Sequence, residues 1–234
     1  GQIIQAEKLA TLGQMAAGVV HELNNPLTSI TVYAEYLIKK FEAGAQVAEG
    51  VVAQLHQIAA SARRIMVFAK DLVQYAKPTG EGPDRVELNI AVRKALSFCE
   101  HLFERSNVSL TTELADDLPA LLAVAGQLEQ VVINLVTNAV HAMPDGGQVR
   151  ITTRRSGSQT LLEVSDTGPG IPAVDRERIF EPFFTTKTDG QGTGLGLSII
   201  RNILEQHGGT IEARDGEQGG AAFVTALPAL VEPG

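Results

Sequence analysis

Apolar and small side chains recur at alternating spacings of three and four in two stretches at the head of the chain. The first carries Leu9, Leu12, Ala16, Val19, Leu23, Ile30, Tyr33 and Leu37, the second Val51, Leu55, Ile58, Ala62, Ile65, Ala69, Leu72 and Ala76. That period gives each helix one apolar stripe. The pattern predicts helices over roughly residues 2–41 and 47–76, an antiparallel helical hairpin with Gly44 in its turn. Arms of roughly 60 Å, at ~1.5 Å per residue, bury only one stripe against each other. A second copy is needed, so two hairpins are expected to form a dimeric four-helix bundle. Lys77-Pro78-Thr79-Gly80-Glu81-Gly82-Pro83 then breaks the helix and reads as a linker.

Beyond it the pattern alternates between periods. Helical stretches are predicted near 89–105, 125–143 and 195–207, and strand-like runs near 108–114, 148–155, 160–166, 209–214 and 221–227. The fold class expected is thus α plus α/β, the hairpin followed by an α/β sandwich with helices on one face of a mixed or antiparallel sheet. The expected domains are 1–77, a linker at 78–83, and 84–232. In the second of these helices, apolar residues at 128, 131, 132, 135, 136, 139, 140 and 143 mark the buried face, leaving Asn134, Asn138 and His141 on the opposite stripe.

Glycine adds chemistry that periodicity does not. Asp166-Thr167-Gly168-Pro169-Gly170-Ile171 and Gly192-Thr193-Gly194-Leu195-Gly196-Leu197 cannot build a core. They let backbone N–H groups approach phosphates, and the second runs into a helix whose N-terminus favours negative charge. This is half of an ATP site. The amide oxygen of Asn138 suits Mg²⁺, which takes oxygen ligands and completes its shell from phosphates and water.

Composition narrows the class further. A net charge of −8 argues against nucleic acid as a partner, the single Cys99 rules out an internal disulfide and reads as a packed hydrophobe, and no apolar run approaches the ~20 residues of a membrane span. A soluble, cytoplasmic piece without membrane contact is expected. The opening at Gly1-Gln2-Ile3-Ile4, already in helical pattern, suggests a fragment of a longer sensor, with or without a membrane anchor. His21, in His21-Glu22-Leu23-Asn24-Asn25-Pro26-Leu27, falls off the apolar seam and is expected to face solvent, with Asn25 one turn beyond. Pro26 removes one backbone bond, either as a tolerated bend or as a device that loosens the histidine region.

Together these segments resemble the catalytic core of sensor histidine kinases, nitrogen-regulation-type in particular, whose ATP-binding domain has the Bergerat-type fold. His21 to Leu27 matches the H box, Asn134 to Met143 the N box, Asp166 to Ile171 the first glycine box, Phe180 to Lys187 the F box and Gly192 to Leu197 the second glycine box. Five boxes in order are specific. The resemblance implies autophosphorylation of His21, with Glu22 orienting its ring or taking its proton. Transfer to an aspartate of a response regulator receiver domain follows, and Asn25 would position water for the reverse dephosphorylation.

In the ATP site, Asp166 would accept from the adenine amine and Gly168 and Gly170 would let the base lie close. Asn138 would hold Mg²⁺, with Asn134 and His141 near phosphate or metal. Lys187 and the amides of Gly192, Thr193, Gly194, Leu195 and Gly196 would hold the β/γ phosphates, under a lid formed by Phe180 to Gln191. The alternative reading makes His141 a helix-surface residue and Lys187 a solvated lysine. Two departures stand out. Val124-Ala125-Gly126 replaces a family aspartate, implying the loss of a helix cap or of a minor contact, and Asn134 stands where hydrolysing cousins carry a water-activating glutamate. The competing readings are an ATPase clamp and a catalytically silent scaffold.

Overall fold

The computed structural model describes residues 16–42, 50–76, 82–186 and 194–230. Residues 2–15 and 47–49 of the predicted helices, Gly44, linker residues 77–81, and Lys187, Gly192 and Thr193 lie outside the described residues. The chain forms a helical unit and an α/β unit, the latter made of residues 79–184 and 196–234.

In the helical unit, α1 (Ala16–Glu42) packs on α2 (Val51–Ala76). Leu37 and Val51 are buried, and Leu23, Ile30, Tyr33, Ile58, Ala62 and Ile65 are half-buried along the predicted stripe. Leu55 and Ala69 depart from it, Leu55 being 52% exposed. Two helices cover one stripe only, so part of the apolar surface of each stays uncovered. α1 runs through Pro26 without interruption. Having no N–H, Pro26 leaves the Glu22 carbonyl without its α-helical donor. In the same turn Thr28, Ser29 and Thr31 hydroxyls donate to the Asn24, Asn25 and Leu27 carbonyls, a pattern that softens helices.

The α/β unit runs β1 (Asp84–Val86), α3 (Leu88–Ser106), β2 (Val108–Leu114), β3 (Leu121–Ala123), α4 (Ala125–Ala142), β4 (Gly147–Ser156), β5 (Gln159–Asp166), α5 (Gly196–Gln206), β6 (Thr210–Asp215) and β7 (Ala221–Pro228). The main sheet has the order β2-β4-β5-β7-β6, parallel between β2 and β4 and antiparallel elsewhere. The mixed alternative is the one adopted. β1 and β3 pair as a separate antiparallel ribbon, and single 3₁₀ turns form at Ala173–Asp175 and Arg178–Phe180; segments of three residues are too short to show a period.

Strict alternation along β4 and β5 sends Val149, Ile151, Thr160, Leu162, Val164 and Asp166 to the helical side. Leu128, Val132, Leu135, Ile200 and Leu204 close the core from α4 and α5, each within about 1% of full burial. Burying a side chain of this size contributes about 1.5–3 kcal/mol. Cys99 is part of this packing, and burial pushes its thiol pKa up, the state of an unreactive thiol. The opposite sheet face is polar, a shallow trough of about 540 Å³ lined in part by Gln148, Arg150, Thr152, Arg154 and Glu163. Arg150 reaches Glu113 there at 2.6 Å. Among the described residues no helix is long and apolar enough to cross a membrane.

Candidate nucleotide site

Asp166 ends β5 on the buried side of its alternation and is only 6% exposed. Its Oδ1 accepts two backbone N–H groups, Gly168 at 2.8 Å and Ala221 at 3.2 Å. Both fall on the same oxygen, so neither occupies Oδ2. Burial raises the carboxyl pKa, and the Gly168 and Ala221 bonds pull it part of the way back.

Glycine is required around this carboxylate by space. A Cβ on Gly168 would stand 2.9 Å from Asp166 Oδ1 and 3.2 Å from Met143 Cγ. Gly220, at φ +71°, is tighter still: its Cβ would overlap the Asp166 carbonyl oxygen and stand 2.6 Å from Oδ1. Gly170, at φ +76°, faces the Gly220 carbonyl, 3.1 Å from where its Cβ would be. Between the glycines and the aspartate, Thr167 Oγ1 accepts from the Gln148 N–H at 3.0 Å and donates to Met143 Sδ at 3.5 Å. The buried Met143, at the C-terminal end of α4, thus lies directly beneath the glycine turn.

On α4 the predicted apolar face is buried, Asn134 and Asn138 are half-buried, and His141 is exposed. A Cβ on Gly196, the first residue of α5, would lie 3.8 Å from Asn138 Nδ2, so the Asn138 carboxamide sits beside a helix end whose first N–H groups lack intrahelical partners. Asn134 Oδ1 accepts from Gln130 Nε2 at 3.4 Å, a long bond within the same helix face. Gly194 takes φ +65° and Leu195 is buried. Among the described residues no three His, Cys, Asp or Glu side chains cluster as a metal site. A hard cation here would be held by amide, phosphate and water oxygens.

No side chain caps α4, but its start is tied to α5 through His207. Val124 caps α4 with no side-chain bond, and its own N–H donates to His207 Nε2 at 3.0 Å while His207 Nδ1–H donates to the Ile203 carbonyl at 2.7 Å. Both ring nitrogens are used, which selects the neutral Nδ1–H tautomer. At the approach to the predicted lid, Phe183 sits at φ +66°, unusual for a bulky side chain, and Arg178 stacks 4.5 Å over Phe184.

The structure therefore brings Asp166, Gly168 and Gly170 together, and Asn138 with Gly196. His21, Glu22 and Asn25 lie on α1 in the other unit; Asn25 is exposed, and the predicted outward direction of His21 lies outside what the described residues cover. Gly220, Ala221, Thr167 and Met143 were not anticipated. The Gly219-Gly220 pair just before a strand was the available sign of a close backbone approach.

The His Kinase A (phospho-acceptor) domain family matches residues 11–81, and the histidine kinase-, DNA gyrase B- and HSP90-like ATPase family matches residues 123–231. The catalytic domain of the histidine kinase ThkA is 36% identical, with 64% of this chain and 97% of that chain covered at a TM-score of 0.57. The chain belongs to the sensor histidine kinases. Among other members of that family, sensor histidine kinase ZraS of Escherichia coli O157:H7 is 39% identical over 95% of this chain and 47% of its own length. Sensor kinase CckA of Brucella abortus is 34% identical over 99% of this chain and 26% of its own. ThkA in complex with the response regulator protein TrrA aligns over 97% of this chain and 64% of that one, at 30% identity and a TM-score of 0.77. The chain spans less than half the length of these curated sensor kinases.

Proposed function

We propose that this histidine kinase core binds ATP in its α/β unit and transfers the γ-phosphoryl group to His21. The observation that carries the reading is the buried Asp166 carboxylate, aligned by the Gly168 and Ala221 N–H groups on Oδ1 with Oδ2 left to accept from the adenine amine. Oδ1 serves the fold by holding the turn and the start of β7, and a second carboxylate oxygen at the edge of a glycine turn is suited to accept from a base.

Gly168 and Gly170 admit the base. Asn138 and the α5 N-terminus, with Gly192, Thr193, Gly194, Leu195 and Gly196 leading into it, receive the phosphates together with Lys187, and Asn134 and His141 approach the phosphates or metal. The amide oxygen of Asn138 fits Mg²⁺, which when bound neutralises phosphate charge. Asn134 supplies an amide where water activation would need a carboxylate, so the site favours transfer over hydrolysis.

In the transfer, a ring nitrogen of His21 forms the bond to the γ-phosphorus as the bond to the bridging oxygen breaks, leaving ADP. Glu22 orients the ring or takes its proton. The phosphoryl group then passes to a receiver-domain aspartate of a response regulator, and Asn25, exposed one turn from His21, positions the water that removes it again. Residues 1–77 serve dimerisation and phosphotransfer, 78–83 link, and 84–232 catalyse. A cytoplasmic homodimer, with no nucleic acid and no membrane contact by these residues, completes the proposal.

The deciding experiment is labelling with γ-labelled ATP and Mg²⁺, comparing the chain with His21→Ala. Acid-labile, alkali-stable label that disappears in the variant is expected. Label persisting in His21→Ala would place the acceptor elsewhere, and ATP turnover unaffected by the substitution would favour the ATPase clamp.

A further inference from the structure

We propose that Arg176 and Asp215 form a clasp that sets the direction of the Asp166 carboxylate, making Arg176 a positioning residue for purine selection. The inference rests on the ATP reading above.

The contacts close a ring. Asp166 Oδ1 accepts from Gly168, and three residues later the Ile171 carbonyl accepts from Arg176 Nε–H at 3.2 Å. The same guanidinium pairs with Asp215 Oδ1 through Nη2. Asp215 is the residue directly opposite Ala221 in the β6–β7 register, and the Ala221 N–H returns to Asp166 Oδ1 at 3.2 Å. Arg176 thus ties the segment after the glycine turn to the strand end that pairs with Ala221, closing the ring on the side away from the carboxylate.

Sheet pairing holds β7 to β5 as far as Ala222 opposite Ser165, so what Arg176 adds lies beyond the sheet, between the glycine turn and the β6–β7 hairpin tip. They meet glycine on glycine, Gly170 against the Gly220 carbonyl, and the hairpin tip closes on itself through Gly216 N–H to the Gly220 carbonyl and Gly219 N–H to the Gly216 carbonyl, each at 3.1 Å. Glycine backbone resists displacement poorly. Beside the Asp166 carboxylate itself, Arg176 is a side chain that crosses between the loops.

Base choice depends on that alignment. Adenine presents an amine donor at C6, guanine a carbonyl acceptor. An ionised carboxylate only accepts, so a correctly aimed Oδ2 favours adenine and opposes guanine, and a carboxylate free to turn loses the distinction. The exposure of the pair separates this role from a structural one. Arg176 is 29% exposed and Asp215 77%, and ion pairs so open to water contribute little to global stability. Loss of the clasp should therefore change discrimination far more than melting temperature.

The test is calorimetric titration of the whole chain with ATP and with GTP, each with Mg²⁺, for wild type, Arg176→Ala, Asp215→Ala and the control Arg214→Ala. Arg214 pairs with Glu212 on the same strand, outside the ring. The ATP Kd is expected to rise about fivefold to tenfold in Arg176→Ala, the loss of one charge-assisted bond, and about half as much in Asp215→Ala, with GTP affinity nearly unchanged. KM for ATP should rise while kcat at saturating ATP stays within about twofold, because the phosphate end is untouched. Arg214→Ala should match wild type. An ATP-over-GTP ratio unchanged in both ring variants would overturn the clasp, as would parallel loss of both nucleotides with falling thermal stability. Should Arg176→Ala fail to fold, the ATP-over-GTP ratio of Asp215→Ala decides alone. A wild type with no preference for ATP would instead remove the ATP reading beneath it.

Discussion

The two units of this chain solve the burial problem differently. The α/β unit closes its own core from Val86 to Leu227, whereas α1 and α2 contribute only Leu37 and Val51 to the buried hydrophobic set among the described residues. Eight of the thirteen exposed large hydrophobic side chains in that set of residues lie on those two helices: Leu27, Val32, Tyr36, Ile38, Phe41, Val52, Leu55 and Met66. A sheet covered by helices can stand alone, but a two-helix hairpin of this length cannot. Under the proposed function the nucleotide site belongs to the self-sufficient unit, and the phosphoacceptor to the helical one.

The largest effect that would sharpen this contrast is expected from Gly220→Ala. At φ +71°, with the Asp166 carbonyl oxygen inside the space of the new Cβ, the hairpin must move away from Asp166. The α/β unit should lose about 2–4 kcal/mol and its ATP affinity, while the hairpin keeps its helicity and its dimer. Circular dichroism melting and nucleotide titration check it; unaltered ATP binding would contradict the geometry.

Leu55→Glu should do the converse. Placing charge on the uncovered stripe should weaken dimerisation by about 2–3 kcal/mol, roughly a hundredfold in Kd, with ATP affinity unchanged. Sedimentation across a dilution series reads this directly, and a dimer as tight as wild type would mean that another surface pairs.

Asp166→Asn separates stability from function inside the α/β unit. The amide oxygen can still accept from Gly168 and Ala221, and the buried charge is gone, so unliganded stability should rise by about 1 kcal/mol while ATP binding falls. The pH dependence follows from the raised pKa. The stability share of this group is fully present below the ordinary aspartate range and is lost as pH rises through the raised value. ATP affinity runs oppositely, declining as pH falls through that same value because a protonated carboxyl accepts less well. A decline confined to the ordinary aspartate range would show that burial does not govern this carboxyl.

The smallest effect is expected at His207. His207→Ala removes the acceptor for the Val124 N–H and should cost about 1 kcal/mol, with His207→Gln recovering part of it. Equal losses in both variants would assign the effect to packing.

Much of this was legible in the chain. The α4 face from Leu128 to Met143, the alternation that ends at Asp166, and the glycines at 168 and 170 are local patterns, set by the 3.6 and 2.0 residue periods and by backbone freedom. Where its burial is described, the hairpin stripe was legible too, except at Leu55 and Ala69, because a period identifies an apolar face without saying whether one partner is wide enough to cover it; Leu9, Leu12, Ala16, Val19, Leu72 and Ala76 lie outside that description. The three-residue strands β1 and β3 were not, since they are shorter than any period that could announce them.

By itself, then, the sequence determined the types of the longer elements and the order of the boxes. Tertiary structure alone decided how Asp166 is aimed. Ala221 is 55 residues from Asp166, Asp215 is 39 from Arg176 and His207 is 83 from Val124. Those partners meet because β7 lies beside β5 and α5 packs on α4, and contacts across such separations follow from the topology of the sheet rather than from any repeat along the chain.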